Sequence, residues 1–217
     1  MSKLQAGLVA FVALVIGVLV ALNIAPPVMN IGKSDPQHLS VYPQPRALPD
    51  FTLRDHNDAT FNRDALLDHW SLVFVGYTYC PDICPTTLAE LKSIYPQLKD
   101  IPTDFPIQVI LLSVDPKRDT SERLNEYINF FDPEFIAASG EHAQLFPLVR
   151  AMGMMYSMSE STDNPDYLVD HSSSVVVINP KAQVMGRFKA DFVAGKLPIS
   201  EGQKILADMP AIIANYP

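Results

Sequence analysis

Two short apolar runs stand out in the hydrophobic pattern of the chain. Ser71–Thr78 and Ile107–Val114 are largely apolar on both faces, which is typical of central strands that helices cover on each side of a sheet. After the first run, leucine and isoleucine recur at helical spacing over Leu88–Leu98. This spacing predicts a helix that Pro96 bends or ends.

Further elements alternate along the chain after the second run. Asp119 and Glu122 have the spacing of a capping box, which predicts the start of a helix. A weaker strand is predicted over residues 135–138 and a helix over about 141–152. A last helix is predicted from about Ser200, where apolar residues again recur at helical spacing.

Two hairpins complete the pattern. Residues 51–53 and 59–61 are short β-prone segments on either side of a turn-rich tetrapeptide, and residues 175–178 and 184–188 form the second pair. The order is therefore a hairpin, then βαβα, then ββα, which joins a parallel half to an antiparallel half. It predicts an α/β, thioredoxin-like fold over residues 49–217, with a mixed central sheet flanked by helices and an extra N-terminal β-hairpin.

The first 25 residues have the composition of a membrane anchor. Gly7–Leu22 is apolar throughout, and with Asn23–Ala25 the segment has about 19 residues, or about 28 Å as a helix, enough to cross a bilayer core. A cleaved signal peptide is the alternative, but Pro26 directly follows the candidate cleavage position. We therefore expect an uncleaved transmembrane helix over residues 7–25, after a cytoplasmic tail of residues 1–6.

A proline-rich segment separates this anchor from the rest of the chain. Residues 26–49 contain six prolines and little periodicity, which is typical of a semi-rigid linker. We expect residues 26–48 to form a stalk.

The N-terminus lacks the Arg-rich amphipathic pattern of a mitochondrial transit peptide, which favours a bacterial inner membrane, with a single pass and the C-terminal domain facing the periplasm.

Charge restricts the kind of partner. The chain has 16 basic and 24 acidic residues, a net charge of −8. Lys3 and Lys33 are the only charged residues among the first 34, so residues 35–217 carry a net charge of −10. This domain is a poor match for nucleic acid, whose binding depends on neutralisation of phosphate by lysine and arginine. A cationic partner or a metal fits better, although solubility alone also accounts for the acidity.

The two cysteines of the chain indicate a site. Cys80 and Cys84 are four positions apart, where the first buried strand meets its helix. Thioredoxin oxidoreductases have a spacing of three, and the extra residue widens the loop so that both sulfurs can converge. The helix dipole and the backbone N–H groups favour thiolate there, and two soft thiolates suit copper(I). A structural disulfide is the alternative, but closing so short a loop stabilises by only about 2 kcal/mol.

Two thiolates need a third ligand, and histidine is the residue type considered. The five candidates are His38, His56, His69, His142 and His171. His171 stands out because it directly precedes a predicted strand. In a thioredoxin-like fold that loop lies beside the cysteine loop, where thioredoxin has its cis-proline. The neighbouring Asp170 is interpreted as a partner that orients the imidazole, or as a turn residue.

Three sequence blocks resemble the signature blocks of the Sco/SenC family. They are Gly76–Pro85, which includes both cysteines, Ser113–Thr120 and Tyr167–Ser172. Members of this family are membrane-anchored, thioredoxin-like copper proteins that assist the assembly of cytochrome c oxidase. The resemblance implies that Cys80, Cys84 and His171 bind copper, as copper(I), copper(II) or both. It also implies a partner, either the copper-binding subunit of the oxidase or another copper chaperone.

Four further features each allow more than one interpretation. Residues 152–158 include four methionines, whose thioethers can bind copper(I), but core packing is the favoured interpretation. Asp82 is either an outer acid of the site or a carboxylate that stabilises the helix. The loop Asp115–Asp119 is interpreted as a turn and helix cap, with a partner contact as the alternative. Residues 181–183 replace the glycine that the family often has in the last hairpin, which leaves the turn type open.

Two classes of function remain. A metallochaperone would bind copper without turnover and deliver it to the oxidase, or prepare the copper centre of that enzyme. A thiol–disulfide oxidoreductase would use Cys80 and Cys84 as a redox-active pair to reduce partner cysteines, and a peroxide reductase would use the same pair on a peroxide. His171 discriminates between the two, since disulfide exchange needs no imidazole at this position whereas a three-ligand copper site does. We therefore favour the metallochaperone, which need not be an enzyme.

Overall fold

A computed structural model describes residues 35–158 and 166–216, in which strands and helices alternate along the chain. The strands are β1 (Leu39–Ala47), β2 (Thr52–Asp55), β3 (Thr60–Asn62), β4 (Trp70–Gly76), β5 (Ile107–Ser113), β6 (Ile136–Ser139), β7 (Tyr156–Met158), β8 (Val169–His171), β9 (Val175–Ile178) and β10 (Gln183–Phe188). The helices are α1 (Ile83–Lys99), α2 (Ser121–Phe131), α3 (His142–Ala151) and α4 (Gly202–Ala214), and a short 3-10 helix spans Arg63–Leu66.

The main sheet is mixed, as the sequence predicts. Its strand order is β1-β10-β9-β4-β5-β6-β2-β3. Strands β4, β5 and β6 pair in parallel, and the remaining pairs are antiparallel. Every residue of β4 and β5 is buried, because helices cover both faces at the centre of such a sheet. Strands β7 and β8 form a separate two-stranded sheet.

The predicted helices and hairpins are confirmed, with small differences at their ends. Helix α1 buries the predicted apolar face and packs against α4. Pro96 does not end this helix, which continues to Lys99. The predicted N-terminal hairpin is β2–β3, and it joins the edge of the sheet through the antiparallel pairing of Arg54 with Ser139. The second predicted hairpin is β9–β10.

The prediction that residues 26–48 are a stalk is wrong for Leu39–Ala47. This segment forms β1, which pairs with β10 at the opposite edge of the sheet from the hairpin. The pairing is interrupted between Val41 and Arg46, the stretch that contains Pro43 and Pro45. Proline has no N–H to contribute to a ladder and is tolerated at such bulges of edge strands. The compact unit therefore begins at Asp35 rather than at residue 49.

A buried carboxylate fixes the start of β1. Asp208, on α4, accepts hydrogen bonds from the backbone N–H groups of Gln37, His38 and Leu39 at 2.6 to 2.9 Å. These hydrogen bonds satisfy three backbone N–H donors at the start of the strand. The proline-rich composition of the segment does not predict them.

No helix within the described ranges is long and apolar enough to cross a membrane. The predicted anchor over residues 7–25 and the predicted tail over residues 1–6 lie outside those ranges.

Candidate metal centre

The cysteine loop connects the end of β4 to the start of α1. Cys80 lies on the loop and is half-buried, whereas Cys84 lies in the first turn of α1 and is fully buried. Both cysteines are free, and the Cys84 backbone N–H donates to the Cys80 sulfur at 3.4 Å. The first sulfur therefore lies at the protein surface and the second beneath it.

Gly76, the last residue of β4, makes room for the buried sulfur. A Cβ atom at this position would lie 2.6 Å from the Cys84 Sγ and 3.0 Å from the ring of Phe74. Such a contact is much closer than van der Waals packing allows. The glycine at the start of the first signature block is thus explained by the packing of Cys84.

His171 reaches the same point from β8. Its Nε2 lies 3.4 Å from the Cys84 Sγ, and its Nδ1 lies 3.3 Å from the carbonyl oxygen of Ser172. The imidazole packs against the rings of Phe74 and Tyr77 in edge-on geometry, with centroid distances of 5.8 Å to each. The ring is therefore held on two sides by aromatic packing and aims one nitrogen at the sulfurs.

The three side chains converge as the sequence predicts. One ligand atom from each of Cys80, Cys84 and His171 lies within 4.8 Å of the others, the one such group of three possible ligands found within the described part of the chain. Two sulfurs and one imidazole nitrogen form a donor set that suits copper.

The two thiols differ strongly in their tendency to ionise. The Cys84 thiol, hydrogen-bonded to the Cys80 sulfur, lowers the pKa of Cys80 to about 4, and the His171 imidazole and backbone N–H groups act in the same direction. Burial, followed by the adjacent Cys80 sulfur, raises the pKa of Cys84 well above its usual value. The metal-free site therefore holds one thiolate, at the surface, and one thiol.

The other histidines do not join the cluster. His38 is exposed. His56 uses both ring nitrogens, with the Ala137 N–H and the Asn57 side chain. His69 contacts the carbonyl of Leu67, and His142 contacts the hydroxyl of Tyr156. This distribution agrees with the prediction that His171 is the third ligand, which is based on its place in the topology.

The two acidic neighbours of the ligands are exposed. Asp82 is exposed at the start of α1, and its carbonyl oxygen accepts hydrogen bonds from Thr86. Asp170 is exposed, and its expected role as the partner of the imidazole is wrong, since Nδ1 faces the carbonyl of Ser172. Adjacent residues of a strand point to opposite faces, so a carboxylate at position 170 is directed away from the ring of His171.

The methionine run divides between core and surface. Met152 and Met154 are buried in the core and Met158 is partly buried against it. Met155 is 74% exposed. Core packing thus accounts for most of the run.

The loop after β5 has a larger role than a turn and helix cap. The N-cap of α2 is Thr120, whose side chain accepts the Arg123 N–H, so the capping box predicted from Asp119 and Glu122 is wrong by one position. Asp119 points into the protein instead. It accepts hydrogen bonds from the Thr78 N–H and hydroxyl at 2.9 and 2.7 Å and from the Ser113 hydroxyl at 2.6 Å.

These bonds fix the backbone two residues before Cys80. Burial raises the pKa of Asp119, and the hydroxyl and N–H donors oppose that shift. This connection is not evident from the sequence. The one sign of it in the sequence is that Ser113–Thr120 resembles a signature block of the family. The block shows no chemistry of its own.

Two cysteines and a histidine meet at the end of a central strand in a thioredoxin-like fold. This combination defines a class of protein, the thiol-based metal-binding members of that fold. Comparison with known families identifies the member. The profile described as SCO1/SenC matches residues 41–197. The chain therefore belongs to the SCO1/SenC family, which confirms the resemblance found in its three sequence blocks.

Individual relatives agree with this assignment. The SCO2-like protein of Rickettsia prowazekii is 37% identical over 148 residues, which cover 68% of this chain and 71% of that protein. The copper-bound structure of Arabidopsis thaliana ScoI has a TM-score of 0.65 at 25% identity and covers 77% of this chain and 98% of its own. Yeast Sco1 with copper bound has the same fold, with a TM-score of 0.68 at 23% identity over 80% of this chain and 91% of its own.

Proposed function

We propose that this protein binds one copper ion through Cys80, Cys84 and His171 and passes it to a protein partner. The observation that carries the proposal is the convergence of the three ligand atoms within 4.8 Å. The solved ScoI and Sco1 structures with copper bound support it. Copper is cargo in this function, and no turnover is required.

The two sulfurs contribute differently to binding and release. Cys80 is half-buried and has a lowered pKa, so a thiolate is ready at the surface, where an incoming ion arrives. Cys84 must lose its proton on binding, because metal ligation requires thiolate. A ligand at the surface is also the one that a partner can replace first, and ligand exchange at Cys80 therefore suits transfer better than exchange at the buried Cys84.

The partner in this proposal is the copper-binding subunit of cytochrome c oxidase or another copper chaperone. Membership of the SCO1/SenC family supports this choice. Mixing the copper-loaded protein with the metal-free copper-binding domain of an oxidase subunit should move copper to that domain. Retention of copper by the donor in the presence of excess acceptor would count against this partner.

The site of action in this proposal is the outer face of a bacterial inner membrane, with residues 7–25 as the anchor. The apolar run Gly7–Leu22 and the proline at position 26 support an uncleaved anchor. The mature protein should fractionate with membranes and begin at or near Met1. Recovery of soluble protein that begins near Pro26 would contradict it.

A thiol–disulfide oxidoreductase is the second candidate function. The low pKa of the half-exposed Cys80 favours it, since the thiolate is the attacking species in disulfide exchange. The buried Cys84 would then resolve the mixed disulfide. In this function the pair reduces partner cysteines, and His171 is not a ligand.

An anaerobic copper(I) titration against a competing chelator separates the two functions. The fully reduced protein should bind one copper, and His171→Ala should bind it at least about tenfold more weakly, as expected when an imidazole ligand is lost. His38→Ala, which removes an exposed histidine, should behave like the wild type. Equal affinity in His171→Ala would remove His171 from the site and leave the dithiol function as the better account.

A further inference from the structure

Three segments that are distant in sequence must be held together for the ligand atoms to meet. They are the cysteine loop (residues 77–84), the loop after β5 (residues 115–119) and the segment that carries the histidine (residues 167–171). Asp119 already ties the second segment to the first through Thr78. The histidine segment needs its own attachment, because in the described part of the chain β8 pairs with β7 and with no strand of the main sheet.

Arg118 contacts all three segments. Its Nε donates to the buried Asp115 carboxylate at 2.5 Å. Its guanidinium lies over the Tyr167 ring at 3.6 Å from the centroid, and over Tyr79 and Tyr77 at 4.7 and 5.6 Å. The side chain is only 12% exposed. A guanidinium over aromatic faces is attracted by them, most strongly where water is excluded.

The aromatic partners of Arg118 are connected in turn to the histidine segment. The Tyr167 hydroxyl donates to the other oxygen of Asp115. The Tyr77 hydroxyl accepts the Val169 N–H at 3.3 Å, and the Tyr77 ring packs edge-on against His171. Arg118 therefore connects the cysteine loop, through Tyr77 and Tyr79, with the histidine segment, through Tyr167.

We propose that Arg118 is a positioning residue that keeps His171 among the copper ligands by tying the histidine segment to the cysteine loop. The inference rests on the proposed copper-binding function. The positioning role depends on the shape of the guanidinium as well as on its charge, because this planar group can stack on Tyr167 while it donates to Asp115. An ammonium group can pair with the carboxylate but cannot stack in this way.

Arg123 offers a matched control. Its Nε donates to the Thr78 hydroxyl at 3.1 Å and its guanidinium lies 5.3 Å from the centroid of the Tyr79 ring. It thus contacts the cysteine loop, as Arg118 does. Among the described residues, no contact joins it to Asp115 or Tyr167, so it should not affect the histidine segment.

The test loads the full-length protein with copper(II) and measures nitrogen hyperfine coupling to copper by electron paramagnetic resonance. Copper(I) affinity is measured in parallel against a chelator. In Arg118→Met the histidine nitrogen coupling should weaken or disappear, and the affinity should fall by about ten- to a hundredfold, the range found when a residue that orients a ligand is lost. Arg118→Lys should give an intermediate result, and Arg123→Met should retain the wild-type nitrogen coupling.

The outcomes distinguish a failure of this inference from a failure of the proposed copper-binding function. Wild-type nitrogen coupling and affinity in folded Arg118→Met would overturn the role of Arg118 and leave the copper site intact. If Arg118→Met does not fold, Arg118→Lys decides, and wild-type nitrogen coupling in that variant overturns the inference. Wild-type protein that binds no copper, or binds it without nitrogen coupling, would instead contradict the proposed three-ligand site.

Discussion

Cys80 and Cys84 ionise in opposite ways because they have opposite surroundings. Cys80 accepts hydrogen bonds at the surface, and its pKa falls to about 4. Cys84 is enclosed beneath Gly76, next to a thiolate, and its pKa rises. One proton is therefore shared between two sulfurs, an arrangement that keeps a nucleophile and a soft ligand available at neutral pH without the cost of burying two negative charges.

Alkylation of the metal-free protein tests this asymmetry. Iodoacetamide should modify Cys80 first, at a rate that changes little between about pH 8 and pH 5 and falls only as the pH approaches 4, where the thiolate becomes protonated. An ordinary thiol loses about tenfold in rate per pH unit below its pKa. The rate is measured by mass spectrometry of the two cysteine peptides.

Removal of the Cys84 thiol provides the control. In Cys84→Ala the largest cause of the low pKa is gone, so the titration of Cys80 should move to higher pH. A Cys80 rate that already falls tenfold per unit between pH 8 and pH 6 in the wild type would contradict the account.

At the scale of elements, β1 shows how a structural segment can resemble a linker. Its two internal prolines lie where its pairing with β10 is interrupted, so the ladder avoids the residues that cannot donate. Gly186, on β10, allows the two strands to approach closely, because a Cβ atom there would lie 2.4 Å from the Ser40 carbonyl oxygen and 3.0 Å from the Val41 Cα. Both are backbone atoms, which cannot rotate away.

Gly186→Ala should therefore destabilise the protein by displacing β1. We expect a loss of about 1–3 kcal/mol in the free energy of unfolding, the usual range for overpacking. The measurement is urea unfolding followed by circular dichroism. An unchanged midpoint would mean that β1 is not held against β10 in solution and that residues 39–47 behave as the predicted stalk.

The same elements show what could be predicted from the sequence. Strands β4 and β5 are runs that are apolar on both faces, and helix α1 has clear helical periodicity. Together with the order of the remaining elements, these patterns predict the fold and place His171 beside the cysteines. The sequence does not identify the N-cap of α2, because Asp119 and Thr120 are both good capping residues. Only tertiary contacts show that Asp119 accepts hydrogen bonds from Thr78 and Ser113 instead. The roles of Arg118 and Tyr167 depend on contacts across about 50 positions, which no local pattern records.

At the scale of the whole molecule, a Cys80–Cys84 disulfide and a bound copper ion exclude each other at one site. Copper requires both cysteines as thiolates, whereas an oxidising compartment favours their disulfide. Bound copper should protect the pair from oxidation, and oxidation should prevent binding. The redox state of the pair therefore determines whether the protein can carry copper or needs to be reduced first.

The disulfide form should bind copper at least a hundredfold more weakly than the reduced form, a difference of about 2.7 kcal/mol. The test is to oxidise the protein, confirm the loss of two free thiols, and titrate copper against a competing chelator. Comparable affinity in the two forms would place the metal elsewhere, with exposed Met155 as the next residue to examine.

X-ray absorption at the copper edge tests the central claim most directly, since it counts the ligands of the bound ion. The copper(I)-loaded, reduced protein should show two sulfur neighbours and one imidazole nitrogen, and His171→Ala should lose the nitrogen while it keeps both sulfurs. A spectrum that is the same with and without His171, or a wild-type shell of sulfur alone, would contradict a copper site built from Cys80, Cys84 and His171.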